Sequence, residues 1–422
     1  MKTTILCLLS LLSLSADAQT FEHFFADSTL RLDYVFAGDA SHQHVYLDKL
    51  NMMPRWYGKK KNLGEVPVDG NGQIVVRDHR TGTVIYRNSF STLFQEWLSY
   101  DEAKTVQRSF ENVFLVPMPR DTVDVSVMLM NNRREVVSEM THVVTPSDIL
   151  IRRIGFSHVA PYETLQQADD STHCIHLAFV AEGYTEDEMP VFINDAKTAI
   201  YALFQHEPFK SLRGRFNIIA AKIPSHESGT SEPANHIWKS TALHSHFDTF
   251  YSDRYLTTLH LKDLHDCLAG MPYEHIIVLV NTEKYGGGGI LNSYNLAMAH
   301  HPLFRQVVVH EFAHSFAGLA DEYAYESEDI PMYPHDIEPW EPNITTLADF
   351  GSKWQDLLEK NTPVPTPEGK GAPEVGVYEG AGYSLTGVYR PSVDCRMRSN
   401  ERPEFCIVCQ RGIRRVIEFY TR

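Results

Sequence analysis

The chain has 422 residues, a net charge of −16 and 43% apolar residues, long enough for two or three domains with cores of their own. The acidic balance, without any Lys/Arg tract, argues against nucleic acid as a partner. No stretch has the length of a membrane span.

Lys2, the apolar run Ile5 to Leu14 and the small-x-small pattern Ala16-Asp17-Ala18 read as a signal peptide over residues 1–18, cleaved to leave Gln19 first. Cys7 sits inside the apolar run, not after it, which argues against a lipoprotein. The expected location is therefore periplasmic, cell-surface or extracellular. Export permits disulfides, and cleavage leaves Cys174, Cys267, Cys395, Cys406 and Cys409, an odd number. A four-cysteine zinc site would need a second pair beside Cys406-Ile407-Val408-Cys409, and only Cys395 is near. A local disulfide from Cys395 to one of the two is the expectation.

Residues 19–150 are expected to form an all-β sandwich. Leu32–Phe36, His44–Leu47, Gln73–Val76, Thr83–Tyr86 and Val123–Leu129 are rich in β-branched and aromatic residues, with turn punctuation such as Asp69-Gly70-Asn71-Gly72. From 151 to 422 the pattern alternates. Ile175–Ala181, Phe216–Ile223 and His275–Val280 read as buried strands, and Thr185-Glu186-Asp187-Glu188 as a capping box opening a helix that runs to about Phe204. Strands alternating with helices predict an α/β (α+β) domain with a mixed sheet. Pro331–Pro342 and Pro363–Pro373 mark long loops, which in compact domains are usually functional or mobile.

The chemistry concentrates in the helix expected over Arg305–Phe316, which carries His310-Glu311-Phe312-Ala313-His314. Residues four apart share a helix face, so both imidazoles can bind one zinc ion, and Glu311 beside them can move a proton. Upstream, Gly286–Gly289 suggest a strand edge open to an extended peptide, whereas the absence of a following Gly-Lys-Ser/Thr rules out a phosphate loop. Downstream, Gly318 can end the helix in the left-handed conformation, and Asp321 or Glu322 then supplies a third ligand, Asp321 being preferred. Met397, in the turn Asp394–Ser399, is placed to floor the site as in metzincins, although Gly318 follows His314 by four residues where metzincins have three.

His310-Glu-Phe-Ala-His-Ser-Phe-Ala-Gly-Leu-Ala-Asp-Glu-Tyr323 resembles the signature of the IgA-peptidase family of bacterial zinc metalloendopeptidases. Ser228-Gly229-Thr230, Gly387-Val388-Tyr389-Arg390-Pro391 and the segments around Met397 and Cys406–Cys409 agree with it. The resemblance spans roughly residues 170–420, and residues 19–150 resemble the domain that often precedes it. It implies a metzincin-like fold, zinc at His310 and His314, Glu311 as general base, and a polypeptide or glycoprotein substrate that need not be immunoglobulin A.

Other residue groups weigh less. His244 and His246, if helical, would point to different faces. Tyr378, Tyr383 or Tyr389 can be asked to donate to a developing oxyanion. Ser228 lacks the flanking glycines of a nucleophile elbow. Two rival readings follow: a zinc hydrolase with a distant ligand, Glu326 or Glu338, and an exported glycan- or protein-binding adhesin with an inactive peptidase domain.

Overall fold

The computed structural model describes residues 20–324 and 332–422. The expected signal peptide, Gln19, Glu326 and Pro331 lie outside the described residues.

A single turn, α1 (Phe21–Phe24), leads into an N-terminal domain of two four-stranded sheets. One sheet contains β1 (Phe25–Gly38), β2 (Gln43–Met53), β5 (Arg108–Pro119) and β8 (Arg152–Arg153), ordered β5-β1-β2-β8. The other contains β3 (Gly72–Asp78), β4 (Val84–Phe90), β6 (Val123–Met130) and β7 (Val136–Val144), ordered β4-β3-β6-β7. All five strands expected here are present. β5 and β7 go beyond that expectation, and both are edge strands. Pro117 and Pro119 are tolerated in β5 because an edge strand has a free side, and β7, most of which faces solvent, needs no continuous apolar run. β8 lies just past residue 150 and pairs parallel with β2. Between β4 and β5, Thr92 starts the short helix α2 (Leu93–Trp97), its hydroxyl accepting from Gln95 N at 3.1 Å.

The second domain is built on a six-stranded mixed sheet. Its strands are β9 (Tyr162–Gln166), β10 (Ile175–Glu182), β11 (Phe216–Ala221), β12 (His275–Val280), β13 (Gly287–Ile290) and β14 (Tyr294–Met298), ordered β13-β14-β12-β10-β11-β9. The four inner strands are parallel, and β9 and β13 close the edges antiparallel. Four helices accompany it: α3 (Met189–Leu203), α4 (Leu261–Cys267), α5 (Phe304–Ala317) and α6 (Ile407–Thr421). A hairpin, β15 (Tyr378–Ala381) and β16 (Ser384–Arg390), follows the Pro-rich loops. The expected capping carboxylate is in place before α3, with Glu188 Oε2 accepting from Thr185 N at 2.8 Å.

Both faces of this sheet are buried, which explains the unbroken apolar runs of its strands. Leu177, Phe179 and Ala181 of β10 pack with Phe192, Phe312 and Ile413 of the helices. Ala178 and Val180 of the same strand join the core that holds Leu30, Phe36 and Val125 of the N-terminal domain. The two domains therefore share a core. Arg31 of β1, 1% exposed, adds an ionic tie, bonded to Asp33 at 2.7 Å and to Asp266 of α4 at 2.5 Å.

Candidate metal centre

Helix α5 carries two kinds of side chain on two sides. Phe312 and Phe316 stack at 5.0 Å and bury themselves with Phe209 and Phe216, fixing the helix to the sheet. His310, Glu311 and His314 are turned away from that core and keep partial exposure. The helix ends where expected: Gly318 has φ 60°, and its N–H reaches back to His314 O at 3.0 Å.

Close contact with α5 explains two of the four glycines, and the 247–256 segment presses on Gly286 and Gly288. A Cβ on Gly289 would lie 2.4 Å from Glu311 O and 3.0 Å from His314 Cβ, and one on Gly287 would lie 2.7 Å from Glu311 Oε1. The outer edge of β13 is not open at Gly287, correcting the expectation of a free peptide-binding edge there. Gly287 N donates to Arg254 O and Leu256 N donates to Gly287 O, each at 3.3 Å. Gly289→Ala is expected to destabilise the protein by about 1–3 kcal/mol, the usual cost of overpacking against backbone. Thermal unfolding of the variant measures this, and an unchanged midpoint would show that helix and strand separate freely.

The two imidazoles stand one turn apart, with Nε2 atoms 2.9 Å from each other and ring planes at 83°. His310 Nδ1 bonds to Arg396 O at 3.1 Å, and His314 Nδ1 bonds to Leu319 O. A carbonyl can only accept, so both Nδ1 atoms carry protons, and the Nε2 atoms are left to bind a cation. Asp321 Oδ1 completes the group at 3.0 Å from His310 Nε2 and 3.3 Å from His314 Nε2. That buried oxygen has no hydrogen-bond donor among the described residues. Its fellow, Oδ2, accepts from Tyr383 OH. Burial would raise the Asp321 carboxyl, but the imidazoles hold it far below the usual carboxylate range. Burial works against a charged His314 too, and the Asp321 carboxylate outweighs it, raising His314 to about 9. The pocket as a whole attracts positive charge. With the metal in place of the His314 proton, the two Nε2 atoms and the unbonded oxygen of the ionised Asp321 carboxylate suit a divalent ion. Glu311 stands beside them, its carboxyl pushed up by burial and by Asp321 while the histidines oppose the shift.

Not every expected residue reaches this point. Glu322 does not: its Oε1 lies 2.9 Å from Cys409 Sγ and accepts from Asn343 at 3.0 Å. Glu338 accepts from Asp349 N and pairs with Lys353, and so is spent elsewhere. Tyr383 holds Asp321, whereas Tyr378 OH donates to Pro373 O, which leaves neither as an evident oxyanion donor. Ser228 donates to Glu188 Oε1 at 2.9 Å, a structural bond. Met397 is fully buried in the core that holds Phe312 and Ala313. The cysteine expectation also changes. Cys395 and Cys409 sulfurs are 3.8 Å apart and unbonded.

Residues 244–248 are not helical, since His244 and Asp248 have positive φ. Free of a helix, His244 lies 4.5 Å from His260 with the rings tilted by 44° and sits near Asp263 in a half-exposed group, while His246 bonds to Phe247 O.

Three neighbours of the centre escaped the sequence reading. Glu96 of α2 crosses from the N-terminal domain, accepting from Tyr255 OH at 2.6 Å. Burial pushes its carboxyl up to about 7, and the charges of Asp321, His314 and Glu311 all act on it. Arg254 and Tyr285 likewise act electrostatically on or with Glu311. Tyr285 borders the glycine run and could have been noticed there, whereas nothing in a five-residue helix of another domain marks Glu96.

The family model described as IgA Peptidase M64 matches residues 164–372 and 368–417, and that of the Peptidase M64 N-terminus matches residues 20–141. The chain belongs to the IgA peptidase M64 family. No curated protein was found to match it. Membership makes this M64 chain a peptidase of a metallopeptidase family, with a strand-rich N-terminal domain before an α/β peptidase domain. No helix among the described residues is long and apolar enough to cross a membrane. A polypeptide is accordingly the substrate class.

Proposed function

We propose that this M64 peptidase is an exported zinc endopeptidase with a metzincin-like catalytic domain, the metal being held by His310, His314 and Asp321. The observation that carries the reading is the convergence of two Nε2 atoms and one unpartnered carboxylate oxygen within 3.3 Å of one another, with Glu311 alongside. Held by His310, His314 and Asp321, zinc would supply Lewis-acid polarisation of a scissile carbonyl and of an attacking water. Glu311 accepts the proton released as the water oxygen adds to the carbonyl carbon. It returns that proton to the amine as the C–N bond breaks. A carboxyl raised by burial is better matched than an exposed one to taking and then returning a proton. Arg396 O and Leu319 O orient the imidazoles, Tyr383 fixes Asp321, and Met397 belongs to the core that holds Phe312 and Ala313 of the same helix. Residues 1–18 direct export, so the substrate is met in a periplasm, at a surface or outside the cell.

Treatment with a strong chelator is expected to abolish cleavage of a mixed peptide library, and stoichiometric zinc to restore it. N-terminal sequencing of the products should show internal cuts. Undiminished cleavage by protein shown to be metal-free would end this reading, and release of terminal residues alone would replace endopeptidase with exopeptidase.

A further inference from the structure

One residue past Asp321 the chain sends a second carboxylate into a separate cluster, buried except for the partly exposed Cys406. Glu322 is 0% exposed, as are Cys395 and Cys409. One ligand atom from each of Glu322, Cys395, Cys406 and Cys409 lies within 4.8 Å of the other three. The Cys395 and Cys409 sulfurs are 3.8 Å apart. That equals the edge of a tetrahedron with arms of about 2.3 Å, the zinc–sulfur distance, and far exceeds the roughly 2.05 Å of a disulfide. Backbone N–H groups already point at the sulfurs: Cys406 N donates to Cys395 Sγ at 3.2 Å and Cys409 N to Cys406 Sγ at 3.5 Å. Cys406 caps α6, a position that favours a thiolate.

Charge makes the second, independent argument. Among the described residues Glu322 Oε2 is buried without a partner, and Oε1 meets the Asn343 amide and the Cys409 thiol. The terminal nitrogens of the nearby Arg390 guanidinium bond to Glu379 O, Gly380 O and Glu368, and its charge acts on Glu322 without a hydrogen bond to it. A carboxylate removed from water needs compensation. A disulfide would join two of the three sulfurs, strand the third and leave Glu322 as it is. A divalent ion would use all four groups.

We propose that Glu322, Cys395, Cys406 and Cys409 form a structural zinc site, distinct from the His310–His314–Asp321 centre. It would clamp three segments: the turn after α5, the Met397 turn and the start of α6. Two of these position the catalytic group, since Arg396 O holds His310 and Met397 O accepts from Glu322 N at 2.8 Å.

The test is metal content of the full-length chain, purified without chelator, in a His310→Ala/His314→Ala double variant. One zinc per chain is expected to remain, against two in the unaltered protein, and adding Cys406→Ser should remove it. Should the cysteine variant not fold, cobalt loaded into the double variant is expected to show thiolate-to-cobalt charge-transfer absorption, which a nitrogen–oxygen site lacks. The same spectrum can be sought in the unaltered chain if the double variant itself is unstable. A metal-free double variant overturns the proposal, whether its cysteines prove joined by a disulfide in the intact mass or are all open to alkylation.

Discussion

Glu311→Gln is expected to lower kcat/KM for peptide hydrolysis by about 10²–10⁴-fold, the range that positioned proton transfer contributes, with zinc content unchanged. The glutamine keeps the volume that Gly287 accommodates, where even one added carbon would approach Glu311 Oε1 within 2.7 Å. It cannot accept and return a proton. Because the carboxyl is not among the groups converging on the metal, binding of the ion should not depend on it. Steady-state kinetics beside elemental analysis of the same preparation gives the answer. Activity near that of the unaltered protein would remove Glu311 from the reaction, and loss of zinc would make it a ligand.

The second large effect concerns Asp321. Asp321→Asn keeps the side-chain volume but removes the charge that faces both histidines at 3.0 and 3.3 Å. Zinc affinity is expected to fall by well over 100-fold, and activity with it. Tyr383→Phe, which deletes only the hydroxyl donated to Asp321 Oδ2, should cost about 10–100-fold, as removal of an outer-shell partner typically does. Competition with a metal-binding dye measures both. Equal losses in the two variants, or none in Asp321→Asn, would mean that the third ligand comes from elsewhere in the chain.

Much of the centre could be read from local order. His310 and His314 are four apart in a helix, and helical geometry alone puts them on one face. Gly318 ends that helix because a residue without Cβ takes a positive φ freely. The inner strands β10, β11 and β12 were legible because burial on both faces requires unbroken apolar runs. Edge strand β7 was not, since most of it faces solvent and needs no such run, and the largely buried β5 is interrupted by Glu111, Asn112, Pro117 and Pro119. The sequence favoured Asp321 over Glu322 as third ligand but did not decide between them. Adjacent acids of similar chemistry differ only in where the turn aims them, and that depends on Asn343, Tyr383 and Cys409, brought in from 21, 62 and 87 residues away.

Sequence by itself determined the helix, its paired imidazoles and their glutamate, because these follow from spacing within a single turn and from residue chemistry. Tertiary structure alone decided which carboxylate joins the histidines, why four glycines precede the helix, that Glu96 reaches the centre from another domain, and that three cysteines meet Glu322. Those outcomes depend on distances between segments far apart in the chain, set by how the sheets and helices pack, and no local pattern encodes them.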